Sequence, residues 1–203
     1  MSLMAKTPAE KTLSLVKKLG VLRPRDLDRH HIPRQYLHLL ERSGKIQRSG
    51  RGLYVAVNKK ISENRSVAEA AKRVPHGVVC LLSALRLHGL TTQAPSEIWM
   101  AIDRKARKPS VDYPPIRIVH FSGDAITAGI EKRRIEGVDV RIFNAPKTVA
   151  DTFKYRHKIG IDVALEALRD CRRQNKATMD ELWHFAKVCR VSNVMRPYLE
   201  AVV

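Results

Sequence analysis

No run of about 18 or more apolar residues occurs in this 203-residue chain, so no membrane-spanning helix is expected. Cysteine is scarce: Cys80, Cys171 and Cys189 stand far apart with no Cys-x-x-Cys pair, which excludes a disulfide framework and a zinc module. Phosphate-cradling glycine motifs are missing as well. Ser49-Gly50-Arg51-Gly52 lies between strand-like runs with no helix after it, so no nucleotide or other cofactor is expected. Internal repeats and low-complexity tracts are absent. The N-terminus lacks the pattern of a secretory signal, so the cytoplasm is the expected location; Met1 to Leu3 read as a remnant ahead of a start at Met4. Acidic residues are in deficit, 20 Asp and Glu against 38 Lys and Arg, for a net charge of +18. A field of that size favours polyanions, either nucleic acid or an acidic protein surface.

What is present supports a folded chain. Hydrophobic residues at 44% and charged residues at 29% suit one large domain or two small ones. Thr7-Pro8-Ala9-Glu10 has capping-box spacing and predicts a helix to about Leu19, with Gly20 as its stop. Pro24 opens a short second helix to about His30. Ile32-Pro33 then precedes a third, Pro33 to about Ser43, closed by Gly44. Next the period changes: Ile46 and Arg48, then Ser49-Gly50-Arg51-Gly52, then Leu53 to Val57, which predicts two strands around a Gly-rich turn. Three helices and a hairpin are the parts of a winged helix-turn-helix, whose recognition helix enters the major groove while the wing reaches the backbone.

On the third helix Arg34, His38, Glu41 and Arg42 make one polar stripe with Gln35 beside them. Leu37 and Leu40 are left for the core, and Tyr36 and Leu39 fall between. Arg and Gln suit guanine and adenine edges, so Arg34, Gln35 and His38 are the base-reading candidates. Arg42, Lys45, Arg48 and Arg51 suit phosphates. Residues 1–58 carry +8, and Lys6, Lys11, Lys17 and Lys18 could add phosphate contacts.

Asn58-Lys59-Lys60 marks the expected boundary, giving a DNA-binding domain over 1–58 and a mixed domain over 59–203. Ser66-Val67-Ala68-Glu69 repeats the capping-box spacing, and Val78 to Leu90 reads as one buried helix. About four strands follow: Ile98 to Ile102, Ile116 to Phe121, Ile130 to Ile135 and Val138 to Phe143. A basic, proline-containing loop separates the first two, from Arg104 to Pro115. Four helices close the chain: from Pro146, around Ile161 to Cys171, from Thr178, and from Val194 despite Pro197. The expected class is α+β, a winged helix-turn-helix followed by a mixed domain with a small sheet and a C-terminal helical layer.

The run Leu22-x4-Leu27, Ile32-Pro33-x3-Leu37-x2-Leu40-x3-Gly44-x-Ile46-x-Arg48-x2-Arg51-Gly52-x-Tyr54 resembles the N-terminal domain of AbiEi-type antitoxins of bacterial type IV toxin-antitoxin systems. Two downstream stretches resemble that family's second domain: Ser83-Ala84-Leu85-Arg86-Leu87-His88-Gly89-Leu90-Thr91 and Lys147-Thr148-Val149-Ala150-Asp151. The resemblance implies a nucleoid-associated winged helix that binds repeats in its own promoter and represses it, with antitoxin activity in the second domain. It also implies a functionally paired nucleotidyltransferase-like toxin, opposed without a stable complex.

The residues themselves supply no catalytic set. Ser83 and His88 point to different faces of one helix, which argues against a nucleophile pair. Lys147, Asp151 and Tyr155 share a face, where an ion pair or a hydrogen bond to the sheet is expected. Neither the carboxylates nor His30 and His31 have metal-site spacing, and no metal is expected. A stand-alone regulator with a sensing or assembly domain stays open, and behind it a nucleic-acid-processing enzyme.

Overall fold

A computed structural model describes residues 7–57 and 64–201. The expected boundary at Asn58-Lys59-Lys60, together with Lys6, lies outside the described residues. The chain divides into two compact units. One comprises the described residues up to Pro75, with Asp112–Pro114 and Arg134–Val140; the other comprises His76–Val111, Pro115–Arg133 and the chain from Arg141.

The first unit opens with α1 (Pro8–Leu19), capped as its sequence requires: Thr7 Oγ1 accepts from Glu10 N, and Glu10 accepts from Thr7 N. Helix α2 (Pro24–Asp28) is a single short turn, two residues briefer than expected. Helix α3 spans Gln35–Arg42, with Arg34 as its N-cap. Strands β1 (Ile46–Gly50) and β2 (Leu53–Ala56) form an antiparallel hairpin around Arg51-Gly52. Gly52 has φ +67°, the left-handed region that glycine enters at little cost. Val16, Leu22, Leu27, Leu37, Leu40, Ile46 and Tyr54 form the buried core of this unit.

Helix α4 (Arg65–Arg73) corrects the capping-box reading at Ser66. Asn64 holds the N-cap position, and the almost fully buried Glu69 accepts from Arg65 Nε at 3.1 Å instead of reaching back to a backbone N–H. Lys72 Nζ donates to Asp26 Oδ2 at 3.0 Å, while Arg23 donates to the Lys72 carbonyl.

In the second unit the expected helix over Val78 to Leu90 divides. Val78–Val79 form strand β3 and Leu81–His88 form α5. The β-branched pair lies inside the sheet, antiparallel to one neighbour and parallel to the other, where such side chains pack well. Extended Cys80 and Leu81, at φ +47°, make the sharp passage into the helix. Strands β4 (Ile98–Asp103) and β5 (Ile116–Phe121) are parallel, so residues 104–115 are the crossover that parallel pairing requires. The short helix α6 (Asp124–Thr127) leads to β6 (Ile130–Ile135) and β7 (Val138–Phe143). The sheet order is β5-β4-β3-β7-β6, five strands instead of four.

The C-terminal helices are α7 (Ala145–Lys154), α8 (Arg156–Ile159), α9 (Ile161–Arg173), α10 (Met179–Val188) and α11 (Ser192–Ala201). Every residue of α7 from Ala145 to Phe153 is buried, and it packs against α5, α9 and α10. Leu85, Val149, Phe153, Leu168, Leu182 and Met195 share one apolar cluster; Trp99, Phe121 and Phe143 belong to another. The face of α7 carrying Lys147 and Asp151 is therefore interior. Lys147 Nζ meets Asp151 Oδ2 at 2.5 Å with both side chains fully buried, and the ammonium lies 4.1 Å from the centre of the Phe143 ring. Cys189 Sγ donates to the other carboxylate oxygen at 3.2 Å. Burial pushes the Asp151 carboxyl above its ordinary range, and Lys147 and Cys189 oppose that rise.

Removing one partner of such a pair strands the other charge in the core. Lys147→Met or Asp151→Leu alone should therefore cost roughly 3–5 kcal/mol in urea unfolding, while the double variant should recover most of that loss. Equal losses in the double and single variants would show that shape, not charge, sets the cost.

Candidate nucleic-acid interface

Helix α3 buries Leu37 and Leu40 and turns Gln35, His38, Leu39 and Arg42 to solvent. These four fall at i, i+3, i+4 and i+7, one helical face. The face differs from the expected stripe at two places. Glu41 leaves it, half-buried and directed at Arg48 Nε at 3.5 Å. Leu39 joins it, 54% exposed. Apolar periodicity could not place Leu39; a helix of eight residues leaves too few turns to separate core from rim.

Arg34 stands at the N-cap and directs a two-pronged contact at Asp28 of α2, with Nε at 3.1 Å from Oδ1 and Nη2 at 2.6 Å from Oδ2. The contact holds the Asp28 carboxyl below its ordinary range. The structure thus places Arg34, Gln35 and His38 along the start of one exposed helix, His38 Nδ1 lying 3.9 Å from Glu41.

Among the phosphate candidates, Arg48 is the most constrained. It faces Tyr54 across the hairpin, donates to the Tyr54 hydroxyl from Nε and Nη2 at 3.2 and 3.1 Å, and lies over the ring 5.5 Å from its centre. Arg42, Lys45 and Arg51 are exposed and carry no ion pair among the described residues. Gly44, at φ +66°, turns the chain from α3 into β1, so Lys45 follows the helix directly. The surface is a polar helix face bordered by three unneutralised cations and a hairpin tip, an arrangement suited to a polyanion with base edges in reach. On α1, Lys11 and Lys18 border a pocket with Ser14, His30 and Ile32.

Ser83, His88, Lys147, Thr148 and Asp151 of the second unit are all buried. Ser83 Oγ accepts from Trp99 N at 2.9 Å, 16 residues away in sequence. Thr148 Oγ1 donates to the carbonyls of Phe143 and Asn144. His88 Nε2 lies 2.7 Å from the Phe143 carbonyl, which can only accept, so Nε2 carries the proton and Nδ1 accepts from Arg133 at 3.3 Å. Arg133, Lys176 and Gln174 donate to the carbonyls of Leu87, His88 and Gly89, satisfying the end of α5. His88, Arg133, Lys176, Glu131 and Glu181 border an open pocket of about 420 Å³, with cations and carboxylates mixed. Lys147, Thr148 and Asp151 offer no polar atom to solvent. Among the described residues no group of His, Cys, Asp and Glu could hold a metal, and no helix is long and apolar enough to cross a membrane.

The fold is mixed: N-terminal helices, then a sheet, then a helical layer. Residues 10–57 match the family model described as "Transcriptional regulator, AbiEi antitoxin". The chain is similar in fold to the RV2827C protein from Mycobacterium tuberculosis, with a TM-score of 0.60 at 14% identity over 90% of this chain and 72% of that one. No curated protein matches the chain by sequence.

Burial lowers the His88 pKa, against the partial opposition of the Phe143 carbonyl. A folded-state value below the unfolded one gives stability that is present above about pH 6.5 and lost as pH falls below it. Nitrogen NMR at pH 7 should find His88 neutral with its proton on Nε2. The fall in Tm from pH 7.5 to 5 should be smaller in His88→Gln; a charged His88 at pH 7 would overturn the assignment.

Proposed function

We propose that this protein is the antitoxin of a type IV toxin-antitoxin system and the repressor of its own promoter. The exposed face of α3, flanked by the unpaired cations Arg42, Lys45 and Arg51 inside the segment of regulator type, carries the reading. In it, residues 1–58 are a winged helix-turn-helix and residues 59–203 are the antitoxin domain. Arg34, Gln35 and His38 meet base edges in the major groove. Arg42, Lys45, Arg48 and Arg51 bind phosphates, Arg51 from the tip of the wing. The second domain opposes a nucleotidyltransferase-like toxin without a lasting complex, and the protein has no enzymatic activity of its own. It works in the cytoplasm, at the nucleoid. Ser83, His88, Lys147, Thr148 and Asp151 serve that domain by fixing its sheet to its helices. The mixed rim of the His88 pocket gives no support to a carboxylate centre for nucleic-acid cleavage.

Binding of the full chain to its own upstream DNA and to a scrambled duplex across a salt series tests the regulator half. The native site should win by about a thousandfold or more. Arg34→Ala should reduce that preference by on the order of tenfold or more. Arg51→Ala should weaken both duplexes alike and lower the salt slope by about one. Both variants should still rescue cells from the toxin. Equal binding of the two duplexes would reject sequence-specific repression, and failure of the wild type to rescue would leave a stand-alone regulator.

A further inference from the structure

The geometry points to Leu39 as the side chain that reads a thymine 5-methyl group, an inference that rests on α3 being the helix in the major groove. Leu39 is the one apolar side chain on the exposed face of α3, one turn after Gln35 and one turn before Arg42. Among the described residues only Val57 and Tyr113 share its character as exposed large apolar groups, and Leu39 is the most exposed of the three at 54%. A docking patch for protein needs apolar neighbours at its centre. Leu39 has Gln35, His38 and Arg42 on its face instead, with the half-buried Tyr36 packed against the core and Arg34 at the head of the helix. An isolated branched alkyl group among base-reading polar groups and cations matches the major-groove edge of an A·T pair, which presents one methyl beside hydrogen-bonding atoms.

The same helix geometry sets where that thymine lies. Four residues advance an α-helix by about 6 Å. At about 3.4 Å per base step, the methyl read by Leu39 lies within roughly two base pairs of the base read by Gln35.

The test uses the full chain and a random duplex library. Sites are selected for binding, and each dT of the selected site is then replaced singly by dU, which removes only the methyl. Wild type should lose about fourfold at one position, the factor for one buried methyl-sized group. Leu39→Ala should bind the dT and dU duplexes alike there, yet keep the preference at the neighbouring position that Gln35→Ala abolishes. Since Leu39 is exposed, the Leu39→Ala variant should melt like wild type. A selected consensus with no dU penalty, or a penalty that survives Leu39→Ala, overturns the Leu39 assignment and leaves the DNA-reading helix standing. Loss of a dimer in sedimentation of Leu39→Ala, without any dU penalty, overturns it in favour of a self-association contact. Failure to select any consensus overturns the proposed function itself, and Leu39 with it.

Discussion

Tyr54 is the point at which the hairpin of the N-terminal unit is tied to its helices. Its backbone exchanges two hydrogen bonds of 2.9 Å with Leu22, in the segment between α1 and α2, so β2 is laddered to the helical body as well as to β1. Its ring is buried in the core and its hydroxyl receives Arg48, which also reaches Glu41 of α3. Helix, hairpin and core are thereby connected through one side chain. The Arg48 contacts are open to water, and ion pairs of that kind contribute little to stability. They link α3 to the hairpin with no ligand present. A surface ordered in advance loses less entropy on association than one that must be assembled.

The second unit depends on a different constraint, a charge pair in a dry interior. Ser83, His88, Lys147, Thr148 and Asp151 all spend their polar atoms inside the fold. His88 and Thr148 both bind the Phe143 carbonyl at the end of β7, and Ser83 binds Trp99 N on β4. α5 and α7 are thus hydrogen-bonded to two strands of the same sheet. The pattern that makes this stretch recognisable is one of architecture. Whatever the second unit does to a partner, its surface must do.

Local signals were readable where one residue type decides. The capping box at Thr7, the stop at Gly20, the helix start at Thr178 and the Gly-rich turn at Arg51-Gly52 stand where the sequence puts them. Errors arose where two physical signals share one composition. Val78-Val79-Cys80-Leu81-Leu82 is apolar throughout, and such a run cannot distinguish a central strand from a buried helix until strand partners exist. Ser66 and Glu69 have capping spacing, yet Arg65 offers Glu69 a charged partner one helical turn away, and a charge-assisted bond outcompetes the cap. The polar face of α3 was legible in the sequence except at Leu39, whose exposure needed the direction of Glu41. That direction is set by Arg48 on β1, outside the helix being read.

Asp28 bears on how such a face would discriminate. It holds the Arg34 fork in a planar two-pronged geometry, the same geometry in which a guanidinium meets the O6 and N7 of guanine. The pair is solvent-exposed, so exchanging the carboxylate for a guanine edge surrenders little. A phosphate brought to the same place faces the Asp28 charge and a guanidinium already engaged. In the proposed reading Asp28 therefore lowers affinity for any duplex and lowers it least for the one with guanine in register. With Arg42, Lys45 and Arg51 left unneutralised, the surface divides its labour. In that reading the open cations supply attraction regardless of sequence, and the arginine at the head of α3 exchanges its carboxylate only for a base edge that offers the same two-pronged geometry.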